Sequence, residues 1–152
     1  MNLKILKAIL IPAAAAVLIT GCGSDMNETV YTEESSVQTS FEGLDTVDIQ
    51  GNSITNDFFK QADVTVVNVW GTFCGPCIGE MPELQKWNEE KPDNVQILGI
   101  VADISGPQDK EHISLAGSIG DKAGVTFTNI IPDEWLYNNI LNSINVVPTT
   151  FL

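Results

Sequence analysis

Two cysteines separated by two residues form the part of this chain best suited to chemistry. They lie in the run Cys74-Gly75-Pro76-Cys77, which closely follows an apolar, β-branched stretch at residues 64–70. Such a stretch predicts a buried strand, and Cys74 then begins the next helix. The positive end of a helix favours the thiolate of a cysteine at its start, and a thiolate is the species that attacks disulfides. The spacing therefore predicts dithiol–disulfide exchange.

Two other uses of a cysteine pair explain the sequence less well. A structural zinc site needs four ligands, but the only other cysteine is Cys22, the only histidine is His112, and no second Cys-x-x-Cys exists. A purely structural disulfide across so short a loop would remove little chain entropy. We therefore expect no metal site and favour redox chemistry at the pair.

The residues around the pair extend the pattern. Residues 70–77, together with Pro82, resemble the thioredoxin superfamily, and within it the membrane-anchored TlpA-like thiol–disulfide oxidoreductases. A second motif at residues 146–150, Val-Val-Pro-Thr-Thr, matches the superfamily signature in which a proline in cis faces the dithiol. The resemblance covers about residues 41–152. It implies an α/β, thioredoxin-like three-layer fold with a mixed central sheet, and a reaction that needs no cofactor.

The resemblance also implies which residues act. Cys74 is expected to be the nucleophile and Cys77 the resolving cysteine. The expected substrate-binding residues are Trp70, Gly75, Pro76, Val147 and Pro148. Trp70 and Phe73 flank the dithiol; we expect each to serve local packing rather than catalysis, and Trp70 is also a candidate to line the partner-binding surface.

Glu80 is the candidate for proton exchange. Counted at a hundred degrees per residue from Cys77, it lies on one helical stripe with Met81, Leu84 and Trp87. A carboxylate one turn from a sulfur is suited to proton transfer with that thiol. The TlpA-like pattern Cys-x-x-Cys-x-x-Glu-x-Pro supports this interpretation. The alternative is a carboxylate on the flank of the helix that simply reaches water.

Asn68 lies where cytoplasmic thioredoxins carry a buried aspartate, six residues before the first cysteine. Because an amide does not ionise, Glu80 is the better candidate for the acid–base role. We expect Asn68 to be a strand-interior amide that is satisfied by backbone groups. His112 shares a helical face with Leu115, Ala116 and Ile119, and we expect it to be a half-buried core histidine.

The remaining elements follow from apolar periodicity and turn residues. They are a hairpin at 46–54, strands at 64–70 and 95–102, helices at 74–90, 108–122 and 133–141, and an extended segment at 127–131. The strand–helix–strand order predicts a parallel pair with a right-handed crossover, which places Cys74 at the carboxyl end of a strand. Since the resembled family continues past the proline, we expect a domain that lacks its C-terminal hairpin and helix.

The first residues have the composition of an export signal. Lys4 and Lys7 precede an apolar stretch at 8–19, and Ile-Thr-Gly-Cys at 19–22 matches a lipoprotein cleavage pattern. We expect a signal peptide at 1–21, a lipidated Cys22 with a flexible tether at 22–40, and a thioredoxin-like domain at 41–152. The alternative is a retained N-terminal anchor helix. Lipidation would place the domain at the extracytoplasmic face of a bacterial cytoplasmic membrane, where disulfides persist.

The charge of the chain is strongly acidic. The formal net charge is −13, and all 20 acidic residues follow Cys22, against five lysines in the same part. Such a field repels nucleic acid and anionic headgroups and favours basic or neutral partners. The alternative is that the acidity only keeps an exported protein soluble.

These observations predict a reductase of exported protein disulfides, with apocytochrome c as one substrate class and a membrane thiol as the electron donor, as the resemblance implies. A thiol oxidase or isomerase with the same dithiol remains an alternative, as does a Cu(I)-binding module without enzyme activity. The Gly-Pro dipeptide between the cysteines is that of thioredoxin, whose reduction potential is about −270 mV. The many carboxylates of the chain also disfavour a strongly lowered thiol pKa. Both favour the reductase.

Overall fold

Strands and helices alternate along residues 41–152, which the computed structural model describes. The strands are β1 (Asp45–Val47), β2 (Ser53–Thr55), β3 (Val64–Trp70), β4 (Val95–Val101), β5 (Thr128–Ile130) and β6 (Thr149–Phe151). The helices are α1 (Gly75–Glu90), α2 (Lys110–Ala123) and α3 (Glu134–Asn139), with short 3-10 turns at Asn56–Gln61 and Leu141–Ser143. Every predicted element is present, and the bounds of β3 are those expected from the sequence.

The expected signal peptide at 1–21, the lipidated Cys22 and the tether at 22–40 lie outside the described residues. Among the helices of residues 41–152, none has the length and apolar character to cross a membrane.

The central sheet is mixed. Its strand order is β5-β4-β3-β6, while β1 and β2 form a separate antiparallel hairpin. β3 and β4 are parallel along their whole length, from Val64 opposite Val95 to Trp70 opposite Val101. β6 runs antiparallel to β3, with Val69 opposite Thr149. Because parallel strands end at the same edge, the loops that follow β3 and β4 lie side by side at the site.

Alternation along the strands builds two apolar layers. On one face of the sheet, Trp70, Ile97 and Val101 pack with Met81 of α1 and Ala116 of α2. On the other face the buried residues include Val67, Val69, Leu98 and Ile100, together with Leu136 of α3. A sheet that buries apolar side chains on both faces requires a covering layer on each. The structure is therefore the predicted three-layer α/β fold.

Helix α1 positions the dithiol. Cys74 caps it, since its sulfur accepts a hydrogen bond from the Cys77 backbone N–H at 3.2 Å. Pro76 occupies the first turn, where a missing N–H costs nothing. The helix continues through Pro82 to Glu90.

The buried face of α1 differs from the predicted stripe. It consists of Cys77, Met81 and Gln85, whereas Trp87 is 39% exposed. Gln85 can be buried because its amide is satisfied: its carbonyl accepts from the Thr126 N–H at 2.8 Å, and its Nε2 donates to the Thr126 hydroxyl at 3.1 Å. The buried face is therefore rotated from the predicted stripe toward Gln85, whose partner Thr126 comes from a loop distant in the sequence.

Helix α2 has clear caps at both ends. The Asp109 side chain caps its start, and Gly124 ends it in the left-handed conformation with φ of 70°, as glycine allows. Ala116 and Ile119 are buried as expected, but Leu115 is 44% exposed. His112 is half-buried, as predicted, but it contacts the helix cap and is not part of the apolar core. Its side chain is 42% exposed and its Nδ1 lies 2.9 Å from the Asp109 carboxylate, so it is held at the helix start by the capping residue.

Candidate active site

Cys74 and Cys77 are joined by a disulfide at the start of α1. Cys74 is 6% exposed and Cys77 is fully buried. Reagents therefore reach Cys74 more readily, and in the dithiol form its sulfur would face the positive end of the helix. This arrangement suits Cys74 as the attacking sulfur and Cys77 as the resolving one.

The second sequence motif lies against the first. The Val147–Pro148 peptide bond is cis, as predicted, and the Val147 carbonyl oxygen lies 3.6 Å from the Cys74 sulfur. Val147 and Pro148 are half-buried, while Gly75 and Pro76 are exposed at the start of α1. These four predicted substrate-binding residues are thus accessible and surround the disulfide.

The two aromatic residues near the dithiol differ sharply in exposure. Trp70 is 1% exposed and its Nε1 donates to the Asn129 side-chain oxygen at 2.8 Å, so it is a core residue and does not line the surface. Gly99 makes this bond possible, because a Cβ there would collide with Asn129. Phe73, expected to serve local packing, is 74% exposed beside the dithiol. The surface aromatic of the site is therefore Phe73.

Asn68 contacts Glu80 across the interface between β3 and α1. Its Nδ2 donates to Glu80 Oε1 at 3.0 Å and to the Thr150 hydroxyl at 3.1 Å. The prediction that backbone groups satisfy this amide was wrong, because β4 and β6 pair with the backbone of β3 on both sides and the side chain projects toward α1. Glu80 is half-buried and faces the sheet through this bond.

A carboxylate clamp holds the loop before Cys74. Asp103 follows β4 and accepts hydrogen bonds from the Thr72 N–H, at 2.9 Å, and from the Thr72 hydroxyl. Neither Thr72 nor Asp103 was predicted to be a site residue. A signal was present, since the parallel register of Trp70 with Val101 places positions 72 and 103 on adjacent loops.

An apolar groove of about 460 Å³ adjoins the dithiol. We call it the Phe73 groove; its lining residues are Phe73, Ala102, Tyr137, Leu141, Ile144, Asn145, Val146 and Val147. None of these side chains is charged, although the chain as a whole has a formal net charge of −13. Phe73 and Val147 make it continuous with the surroundings of Cys74.

Within residues 41–152, no three His, Cys, Asp or Glu side chains are grouped so that they could hold a metal ion.

Comparison with known proteins places these features in context. The sequence model of the Redoxin family matches residues 27–128, about two thirds of the chain. The thiol-disulfide oxidoreductase ResA of Geobacillus kaustophilus is 28% identical over 145 residues, covering 92% of this chain and 77% of that protein. ResA of Halalkalibacterium halodurans is 26% identical over 142 residues, covering 90% and 74%.

Solved structures agree with the fold. A thiol:disulfide interchange protein of the thioredoxin family from Chlorobium tepidum has a TM-score of 0.57 at 18% identity, covering 71% of this chain and 72% of that one. A DsbF homologue from Corynebacterium diphtheriae has a TM-score of 0.55 at 25% identity, covering 70% and 65%. The thioredoxin-like architecture expected from the sequence is confirmed.

Proposed function

Because the chain belongs to the Redoxin family and is a thiol–disulfide oxidoreductase, we propose that it reduces disulfides of exported proteins. The observation that carries the proposal is the disulfide at the start of α1, with Cys74 more exposed than Cys77 and the Val147 carbonyl beside it. A dithiol in this setting has an attacking sulfur, a resolving sulfur and a backbone edge for the substrate.

The proposed reaction has two exchange steps. The Cys74 thiolate attacks one sulfur of the substrate disulfide, which breaks that bond and forms a mixed disulfide. The Cys77 thiolate then attacks the Cys74 sulfur, so the substrate leaves with both sulfurs reduced and the enzyme holds the Cys74–Cys77 disulfide. Two electrons pass from the enzyme to the substrate. A dithiol electron donor must return the enzyme to its reduced form.

Glu80 is proposed to accept the proton of Cys77 as that buried thiol becomes the attacking thiolate. It lies one turn after Cys77 on α1 and is half-buried, and its carboxylate contacts the sheet through Asn68. Cys77 itself is fully buried, so a proton acceptor within the protein is needed.

The substrate is proposed to be an extended polypeptide with a nonpolar side chain near its cysteine. Val147 and Pro148 offer backbone beside Cys74, and the uncharged Phe73 groove begins at the same place. The net charge of −13 favours neutral or basic chains over acidic ones. Apocytochrome c is one candidate of this class, and nucleic acid is an unsuitable partner.

The location and donor are proposed from the sequence. The pattern at 19–22 supports lipidation of Cys22 and a position at the extracytoplasmic face of the bacterial cytoplasmic membrane. A thiol protein of the membrane would then supply the electrons.

The direction of the reaction is tested by reduction of insulin and by the reduction potential of the couple. The potential is measured by equilibration with dithiothreitol or glutathione. A reductase is expected near the thioredoxin value of about −270 mV, and an oxidase near about −120 mV. Cys74→Ser serves as the inactive control. Copper titration of the reduced protein tests the Cu(I)-binding alternative. A potential near the oxidase value, with no insulin reduction, would contradict the proposal.

A further inference from the structure

Only the nitrogen of the buried Asn68 amide makes hydrogen bonds. The residue is fully buried in β3, and its Nδ2 donates to Glu80 and Thr150. Its carbonyl oxygen is also buried, and no group in residues 41–152 donates a hydrogen bond to it. The ionised Glu80 carboxylate only accepts, so the amide nitrogen of Asn68 faces it, since the reverse would put two oxygens face to face; the Thr150 hydroxyl suits either orientation.

A buried acceptor without a donor destabilises a fold, and a nonpolar side chain of similar size would avoid that cost. Asn68 therefore does not serve stability in the way that a fully satisfied amide does. Asn129 provides the comparison. It is also a buried asparagine of the sheet, but its oxygen accepts from Trp70 and its nitrogen donates to the Phe127 carbonyl at 3.1 Å. Both sides of Asn129 are used, as a structural role requires.

The satisfied side of Asn68 contacts the carboxylate assigned to proton exchange. Its 3.0 Å bond ends on Oε1 of Glu80, which leaves Oε2 available to another donor. The Thr150 bond fixes the plane of the amide from β6, the strand that follows Pro148. Asn68 thus holds Glu80 from a rigid strand, and its amide cannot itself take up the proton.

We propose that Asn68 is a positioning residue that holds the Glu80 carboxylate for proton exchange with Cys77. This inference rests on the proposed role of Glu80. It predicts that Asn68 affects the reaction only through Glu80. The unsatisfied carbonyl of Asn68 would then be a destabilising feature that is kept because the same side chain fixes the Glu80 carboxylate.

The test uses Asn68→Leu, Glu80→Gln, the double variant, and Asn129→Leu as the matched control. Reduced protein is mixed with the disulfide reagent DTNB in a stopped-flow instrument. The first TNB released reports attack by Cys74, and the second reports resolution by Cys77. We expect Asn68→Leu and Glu80→Gln each to slow the second phase about tenfold near neutral pH and to alter its pH profile alike, because proton transfer of this kind contributes at least that much. The double variant should be no slower than Glu80→Gln alone.

Stability separates positioning from structure. Oxidised Asn68→Leu should unfold at the same urea concentration as the wild type, or at a higher one, whereas Asn129→Leu should unfold at a lower one. Asn68→Ala provides the same kinetic comparison if the leucine is not accommodated. Multiplying effects in the double variant would overturn the inference, as would an unchanged second phase in Asn68→Leu and Asn68→Ala. If the wild type does not reduce insulin but the second phase behaves as expected, the reductase proposal fails and the positioning role stands.

Discussion

The sulfur of Cys74 lies 3.6 Å from the carbonyl oxygen of Val147, although 73 positions separate the two residues in the chain. The antiparallel pairing of β6 with β3 produces this contact, because Thr149 lies opposite Val69 near the end of the strand that leads to the dithiol. The Val147 carbonyl therefore bounds one side of the Cys74 sulfur. Val147 also lines the Phe73 groove, so the groove begins on that side of Cys74.

The two cysteines should behave differently when each is replaced. Cys77→Ser leaves the accessible Cys74 to attack but removes the buried sulfur that resolves the intermediate, so mixed disulfides with substrate should accumulate. Cys74→Ser should yield none. Non-reducing gels and mass spectrometry of the trapped adducts measure both. Trapping by Cys74→Ser instead would reverse the assignment of the two roles.

Phe73→Ser should weaken binding of substrates with a nonpolar residue beside the cysteine. The variant removes the most exposed aromatic of the groove, a loss of about 1 kcal/mol of apolar contact, which corresponds to a rise in KM of about fivefold with kcat unchanged. Steady-state reduction of disulfide peptides with a leucine or a serine beside the cysteine measures the effect.

Trp87→Ser is the matched control for the groove, because Trp87 is another exposed aromatic, near the far end of α1. It should change neither constant. An equal rise in KM for the leucine and serine peptides in Phe73→Ser would show that the groove does not select the side chain.

The sequence was sufficient for the elements, because strand alternation, helix caps and turn residues are local signals. The meeting of the two motifs was expected from the family resemblance alone, since no local signal places residues 146–150 beside Cys74. The sequence was insufficient for side chains whose partners are distant in the chain. Asn68 was expected inside the strand, but its partners are the side chains of Glu80 and Thr150 and not backbone groups. Gln85 pairs with Thr126 and is buried at a position outside the predicted stripe. The exposure of Phe73 was also not predictable, because this residue lies in the loop after β3, where strand alternation no longer applies.

The pair of Asp109 and His112 should make stability depend on pH. The hydrogen bond to the Asp109 side chain raises the pKa of His112 above its ordinary value of 6.5. The Ser105 N–H and then His112 lower the pKa of Asp109 below its ordinary value of 3.8. The histidine contribution is fully present below pH 6.5 and is lost as the pH rises through the raised pKa. The aspartate contribution is present above pH 3.8 and is lost as the pH falls.

The stabilising window of this pair therefore lies between about pH 4 and 6.5. Asp109→Asn keeps a good helix cap but removes the charge, so the pKa of His112 should return toward its ordinary value. NMR titration of the imidazole measures it. The stability of the wild type, relative to Asp109→Asn, should be greater at pH 5.5 than at pH 8.5. The same His112 pKa in both proteins would show that the contact does not govern the titration.

Asp103→Ala should loosen the loop that carries Phe73 and leads to Cys74. The change removes the acceptor of the Thr72 N–H and hydroxyl, and bonds to a carboxylate are stronger than those between neutral groups. Because Thr72 is buried, its donors would lack this partner, and the free energy of unfolding should fall by about 1–3 kcal/mol. The Thr72 amide should also exchange its hydrogen faster. Urea unfolding and amide exchange measure the two effects.

Asp93→Ala, at an exposed position just before the start of β4, is the matched control and should change neither the stability nor the exchange of Thr72. An equal loss of stability in both variants, or unchanged exchange at Thr72, would show that Asp103 does not hold this loop.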